Sequence, residues 1–486
     1  MRFSNLPDFR MVFAPDAPCI ADATASLSNN EFHSRVLAAT CVFAEHGVGG
    51  GDVVAIMLPN QVEFVVAMFA AWRLGAAVTP INPSLTSKEA THQILDSKSK
   101  LVVNGSGDVV VPEVKSLAVA TLKDGGSYIG TPIDDPTALA LLIYTSGTTG
   151  VPKGVMLDHA NIEAMTEMGR HSLKVTADDH CLLILPLFHV NGIVVSILTP
   201  FSVGGRVTIR TRFDIKTFFD DVEKLRPTFF SAVPTIYAML SALPDSIKPD
   251  TSSLRYGICG AAPASAELLK NFESRYGFPL VEGYGLSEGT CASTINPIDG
   301  VRKVGTVGLP FVGQRIAIAD KSGAHLPQGE TGEVLVQGPN VMRGYLGRPE
   351  ETAKTIVNGW LHTGDTGRID ADGYLSIVGR LKEMIIRGGE NIYPKEIEDV
   401  LCEFSGVLEA AVIGAPHETF GEIVIAYVTT RTSVELVPAV LDEHCAGRLT
   451  RYKRPYRINV IESLPKNAVG KIDKLKLKEL WKSQNQ

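Results

Sequence analysis

The sequence predicts an α/β protein: a large N-terminal domain of α/β sheets with a small β subdomain, followed by a smaller α+β C-terminal domain. Three observations carry this. Between Val53 and Pro80 an apolar run, an apolar helical stretch and a second apolar run follow one another, a βαβ unit that implies a parallel sheet. Strand-like runs with helical patterns between them then recur as far as Glu282. From Gly305 to Val378 the pattern changes to short strands broken by Gly, Pro and Asp, and a new alternation of helix and strand begins near Arg380.

Taken in order, GVGGGD (47–52) is turn-forming, Val53 to Leu58 reads as a buried strand, Gln61 to Leu74 as a helix and Ala76 to Pro80 as the next strand. Further strand-like runs lie at Ala138 to Tyr144, His180 to Leu185, Arg206 to Ile209, Phe229 to Val233 and Leu280 to Glu282. The stretch DKSGAHLPQGETGEVLVQG typifies the β subdomain. Pro394 suits the first position of a helix with Ile397, Val400, Leu401 and Phe404 on one face. Strand-like AAVIGAP (410–416) and IVIAYVTT (423–430) follow. The predicted division is 1–380 and 381–486, with no internal repeat.

Composition narrows the class. A chain of 486 residues is about three times the ~150 residues of a typical domain, and 45% apolar with 20% charged residues excludes a disordered or nucleic-acid-coating chain. The seven cysteines form no CxxC pair and no His/Cys cluster at zinc spacing, so they read as reduced thiols. The most apolar helical stretch, Phe64 to Val78, contains Arg73 and is too short to span a bilayer, and MRFSNLPDFR lacks the apolar run of a signal peptide. With KSQNQ at the end and no peroxisomal SKL-type signal, a cytoplasmic enzyme without a membrane span is expected. Against a net charge of −7, the stretch from Arg448 to Lys482 carries eleven Lys/Arg and three Asp/Glu, a bias suited to a polyphosphate ligand.

One segment carries the strongest chemical signal. In YTSGTTGVPKG (144–154), Thr145, Ser146, Gly147, Thr148 and Thr149 follow an apolar strand and lead to Lys153, so a loop rich in N–H and O–H donors ends in one mobile cation. Such a loop suits a pyrophosphate. It is not a Walker A loop, because Pro152 precedes the lysine and no GK[ST] follows.

YTSGTTGVPKG resembles the phosphate-loop signature of the adenylate-forming enzymes, the acyl-CoA synthetases and coumarate-CoA ligases among them. LPLFHVNG (185–192), GAAP (260–263), EGYGLSE (282–288), HTGD (362–365), GRLKEMIIRGGENIYPKEIE (379–398) and PKNAVGK (465–471) match further family motifs in the family's order. The resemblance implies an ATP-dependent acid-thiol ligase that makes acyl-AMP with release of pyrophosphate and passes the acyl group to coenzyme A, or, in an alternative, to a carrier-protein pantetheine. ATP, Mg²⁺, CoA and a small carboxylic acid are the ligands so implied; nucleic acid is not, and oligomeric state is left open.

Residue by residue, the resemblance gives Lys471 the role of reaching the carboxylate and the α-phosphate, and Glu288 with Thr148 that of holding Mg²⁺. Ser287 replaces the family's usual threonine at the α-phosphate. Tyr284 would stack on adenine, with Gly260, Ala261 and Ala262 closing the slot and Glu282, Gly283 and Gly285 forming its edge, while Asp365 would accept the ribose hydroxyls with help from Arg380. His189 would gate the acyl pocket. The C-terminal domain would be mobile, turning about Lys382 to present Gly388 and Gly389 to the pantetheine thiol.

The expected acyl-pocket stretches, Val190 to Ile197, Val233 to Leu240 and Tyr256 to Cys259, are almost wholly apolar or small, with Val190, Val233 and Cys259 as lining candidates. With no acidic residue from Phe188 to Thr199, an α-amino acid is not expected, and a fatty or aryl acid with a neutral tail is. Two other readings compete. GLSEG (285–289) satisfies the G-x-S-x-G pattern of serine hydrolases, with HGVGGG (46–51) as an oxyanion loop and His325, His362, His417 or His444 as base. A non-catalytic nucleotide-binding module would need neither Lys471 nor Glu288. ATP-dependent release of pyrophosphate separates the ligase from both.

Overall fold

The computed structural model describes residues 2–145, 152–262, 264–430, 436–466 and 472–484. Among them the βαβ unit forms as expected, with strands Val53–Met57 and Ala77–Pro80 parallel around helix Val62–Arg73. Every residue of that helix is buried. A helix buried on every face must be covered all round, and helix Asn29–Glu45 together with the strands Val53–Met57 and Ala77–Pro80 supplies most of the cover. A seven-stranded sheet runs Gly344–Tyr345, Lys153–Asp158, Leu139–Thr145, Ala77–Pro80, Val53–Met57, Leu101–Asn104, Lys115–Ala118. A nine-stranded sheet includes Leu280–Tyr284, Tyr256–Cys259, Phe229–Ala232, His180–Leu183 and Arg206–Ile209 as parallel neighbours. One core cluster joins both sheets through Phe64, Phe69, Trp72, Ile143, Leu183 and Phe229. Arg73, inside it, is neutralised by Asp8 at 2.5 Å.

The expected parallel pattern breaks at the sheet ends and at one pairing that bears on the site. Leu139–Thr145 and Lys153–Asp158 pair antiparallel, with Thr145 opposite Lys153, so the strands on either side of the phosphate-loop motif lie side by side. Gly305 to Val378 forms a five-stranded sheet of Arg315–Ala319, Gly332–Gln337, Trp360–Ile369, Ile356–Val357 and Leu375–Arg380. The chain then makes one 3₁₀ turn, Leu381–Glu383, before the last sheet starts at Ile385–Arg387.

In that last sheet Val407–His417 and Gly421–Thr430 form an antiparallel hairpin. Val424, Ala426 and Val428 face Ile397, Leu401 and Leu441, while Ile423, Ile425 and Tyr427 face Leu464 and Leu477. Burial on both faces explains why IVIAYV reads as an unbroken apolar run. Pro394 opens helix Pro394–Cys402. No helix of the described residues is long and apolar enough to cross a membrane.

Candidate active site

The strand Leu280–Tyr284 and the 3₁₀ turn Ser287–Gly289 after it form the spine of the site, because Glu282, Tyr284 and Glu288 all project from it. Gly285 is required between them: a Cβ there would stand 2.0 Å from the Cys291 carbonyl oxygen. Tyr284 donates its hydroxyl to Asp365 Oδ2 at 2.6 Å, and Arg380 Nε meets Asp365 Oδ1 at 3.0 Å from the directly opposite strand position. Burial first, and then the Asp365 charge, raise the Tyr284 phenol well above its ordinary range, so it stays a donor. Asp365 is thus held at both carboxylate oxygens and aimed by its neighbours.

Gly260, Ala261 and Ala262 leave the end of strand Tyr256–Cys259 beside this spine, and a Cβ on Gly260 would lie 3.4 Å from the Gly283 carbonyl oxygen. Ala261 takes a left-handed φ of 67°, uncommon for a residue with a Cβ. Glu282 is buried under the same segment and accepts the Ala264 N–H at 3.3 Å. Burial pushes its carboxyl up to about 7, and the Ala264 N–H and the charge of Lys395 offset this only in part.

Lys153 opens strand Lys153–Asp158, forms an ion pair with Glu351 and lies 5.2 Å over the ring of Tyr345. Tyr345 donates its hydroxyl to Glu288 Oε1 at 2.9 Å, and the Met342 N–H donates to the Glu288 carbonyl at 2.8 Å. Tyr345 therefore brings Lys153 and Glu288 together. Neither Tyr345 nor Glu351 was among the residues expected from sequence; what places them is the antiparallel pairing of Gly344–Tyr345 with the Lys153–Asp158 strand. Ser146, Gly147, Thr148, Thr149 and Lys471 lie outside the described residues.

Among the described residues no group of three or more His, Cys, Asp or Glu side chains could hold a metal ion by itself. A single carboxylate such as Glu288 fits Mg²⁺, which keeps waters and is bound through one or two carboxylates together with substrate phosphates.

His189 starts the short helix Val190–Ile193, which continues through a π-helical turn, Val194–Leu198, into Thr199–Ser202. Its ring lies 5.0 Å from that of Phe188. Val190 and Val233 are buried at the starts of their helices, and Cys259 is enclosed with Tyr237 and Leu240 in the core cluster on the far face of the nine-stranded sheet. Arg255, at the margin of the acyl stretches, is taken by Asp179, to which its Nη1 donates at 2.6 and 2.7 Å.

Gly388 and Gly389, with φ of 60° and 89°, form the two-residue turn between Ile385–Arg387 and Glu390–Ile392. Such a turn needs positive φ at both central positions, hence two glycines. Lys382 is exposed in the 3₁₀ turn between the sheets. A cleft of about 1050 Å³ in the C-terminal unit is lined by Arg387, Arg451, Arg454 and Arg457, which gathers part of the basic stretch on one surface.

The hydrolase constellation does not form. Ser287 is followed by a three-residue turn and then strand Thr294–Ile295, where a nucleophile elbow needs a helix. The candidate bases are engaged elsewhere, His362 with Glu333, His444 with the Val400 carbonyl, His417 with Phe420 and His325 with Trp360.

A family model described as AMP-binding enzyme matches residues 10–346, and one described as AMP-binding enzyme C-terminal domain matches residues 396–471. The chain belongs to the AMP-binding enzyme family. This AMP-binding enzyme is 36% identical to a sulfoacetate-CoA ligase of Cupriavidus necator, over 90% of this chain and 89% of that one. It is 35% identical to an oxalate-CoA ligase of Arabidopsis thaliana, over 92% of both. Its structure superposes on ATP-bound MatB from Rhodopseudomonas palustris with a TM-score of 0.94, at 32% identity and complete coverage of both chains. Against the apo form of the same protein, at the same identity and coverage, the score is 0.83. The chain as a whole follows the ATP-bound arrangement more closely. An AMP-binding enzyme with such relatives is an ATP-dependent acid-CoA ligase working through an acyl-adenylate.

Proposed function

We propose that this ligase activates a carboxylic acid with a neutral aliphatic or aryl tail, and that residues 1–380 bind ATP and acid while residues 381–486 bring Lys471 and later the Gly388–Gly389 turn to the reacting atoms. The observation that carries the substrate class is the commitment of Arg255 to Asp179. A second anionic group on the acid would need a free cation near Val190 and Val233, and the nearest candidate by sequence already has its carboxylate.

The two joined steps divide the site. Carboxylate attack on the α-phosphate brings two anions together, so charge must be neutralised as the bond forms. Lys471 supplies that charge at the reacting carboxylate and phosphate, Lys153 leaves Glu351 for the phosphates, and Ser287 adds a hydroxyl. Glu288 with Thr148 would hold Mg²⁺, whose contribution is to neutralise the departing pyrophosphate. Asp365 and Arg380 hold the ribose, and Tyr284 lies against the base. In the second step the thiol of CoA attacks the acyl carbonyl and AMP leaves. The arginine-lined cleft near Gly388 offers the phosphates of CoA a counter-charge. A cytoplasmic setting suits seven cysteines with no disulfide among the described residues.

A panel of acids assayed for pyrophosphate release, with and without CoA, tests this reading. Neutral-tailed aliphatic or aryl acids should support release well above oxalate and sulfoacetate. Preference for either dianion would overturn the assignment of substrate class.

A further inference from the structure

Lys466, five positions before Lys471, is tied through one carboxylate to the large domain. Lys466 and Ile472, on either side of Lys471 in sequence, form an isolated antiparallel bridge. Lys466 Nζ pairs with Glu409 Oε1 at 3.0 Å. The same carboxylate oxygen accepts the Thr235 hydroxyl at 3.2 Å, a contact spanning 174 residues of sequence. Thr235 lies in the first turn of helix Pro234–Ser241, where no side chain caps the helix, so a carboxylate is also favoured by the unsatisfied N–H groups there. The helix follows directly on Val233, a candidate wall of the acyl pocket.

From this geometry we infer that Glu409 is a positioning residue: with Thr235 and Lys466 it latches the small domain to the acyl-pocket helix and sets the Lys466–Ile472 bridge, which flanks Lys471 in sequence, for adenylation. The inference rests on the proposed role of Lys471. The ion pair and the hydrogen bond share one partly buried carboxylate, where charge-assisted bonds are stronger than on an open surface. One hydroxyl on the large domain and one ammonium on the small one therefore act through a single group. If the small domain turns about Lys382 for the thioester step, Glu409 must leave Thr235 while keeping Lys466, which belongs to its own domain. The latch is then used in one half-reaction and released in the other.

The test measures the two half-reactions separately in the full-length enzyme: acid-dependent pyrophosphate–ATP exchange, and thioester formation from supplied acyl-AMP and CoA. Thr235→Val and Glu409→Ala should each lower exchange by roughly three- to tenfold while thioester formation stays at or above the parental rate. The double variant should be no slower than Glu409→Ala alone, since both remove one contact, and Thr235→Ser should recover the parental exchange rate. Equal losses in both half-reactions, or additive losses in the double variant, would overturn the latch, because a merely structural role would produce them. Lys471→Ala, measured in parallel, separates the two levels of the argument. Loss of exchange in Lys471→Ala with no change in Glu409→Ala refutes the latch alone. Parental exchange in Lys471→Ala refutes the role of the lysine, and the latch with it.

Discussion

Replacing Glu282 with glutamine removes a buried titration from beneath the Gly260–Ala262 segment. The carboxyl is raised from 4.5 to about 7, chiefly by burial. That displacement corresponds to about 3 kcal/mol favouring the protonated form, as an upper figure. The sign follows from proton binding. Folded Glu282 holds its proton more tightly than the unfolded chain does, so folding takes up a proton between about pH 4.5 and pH 7. Stability contributed by this site is therefore complete below pH 4.5, falls as pH rises through the window, and is lost above pH 7. Glutamine keeps an oxygen for the Ala264 N–H and has nothing to titrate. Urea unfolding of parent and Glu282→Gln at pH 5, 6, 7 and 8 should give a difference near zero at the acid end. The variant should then gain progressively, levelling off above pH 7 at no more than about 3 kcal/mol. A difference that does not vary with pH, or one that is largest at pH 5, would refute the reasoning, since either would mean that Glu282 is charged throughout.

Two further outcomes follow from the phosphate side and the linker. Tyr345→Phe keeps the ring beneath Lys153 but removes the hydroxyl that Glu288 accepts, so the Mg²⁺ concentration needed for half-maximal rate should rise roughly tenfold with the KM for the acid unchanged; an unchanged Mg²⁺ dependence would show that Glu288 needs no such support. Lys382→Pro places a ring with φ near −65° in a 3₁₀ turn that already requires about that angle, so pyrophosphate–ATP exchange should survive while thioester formation falls steeply. Parental rates in both half-reactions of a well-folded variant would mean that the pivot lies elsewhere.

Much of the local structure was legible because it is set by near neighbours. Pro394 opens its helix, and the apolar runs at 206–209 and 423–430 become strands within a residue or two of their expected ends. Gly388 and Gly389 adopt the positive φ that only a tight turn demands. The motif at 282–288 likewise places Glu282, Tyr284 and Glu288 on one strand and its turn, because sequence spacing there is spatial spacing.

Pairing direction and distant contacts were not legible. Whether the strand after the phosphate-loop motif runs parallel or antiparallel depends on which neighbour its backbone meets, and here it pairs antiparallel with the strand before the motif. Tyr345 has no chemical signature of its own; it matters because a two-residue strand beside Lys153–Asp158 delivers its hydroxyl to Glu288, 57 positions away. Glu409 reads as one more charge at the start of a strand until the packed domains set it between Thr235 and Lys466. By itself, then, the sequence determined the order of elements, the family motifs and the candidate side chains for the chemistry, since these depend on residue type and short spacing. Only the tertiary structure decided which groups hold those side chains in place, because such contacts form between segments that the chain keeps far apart until the sheets and domains pack.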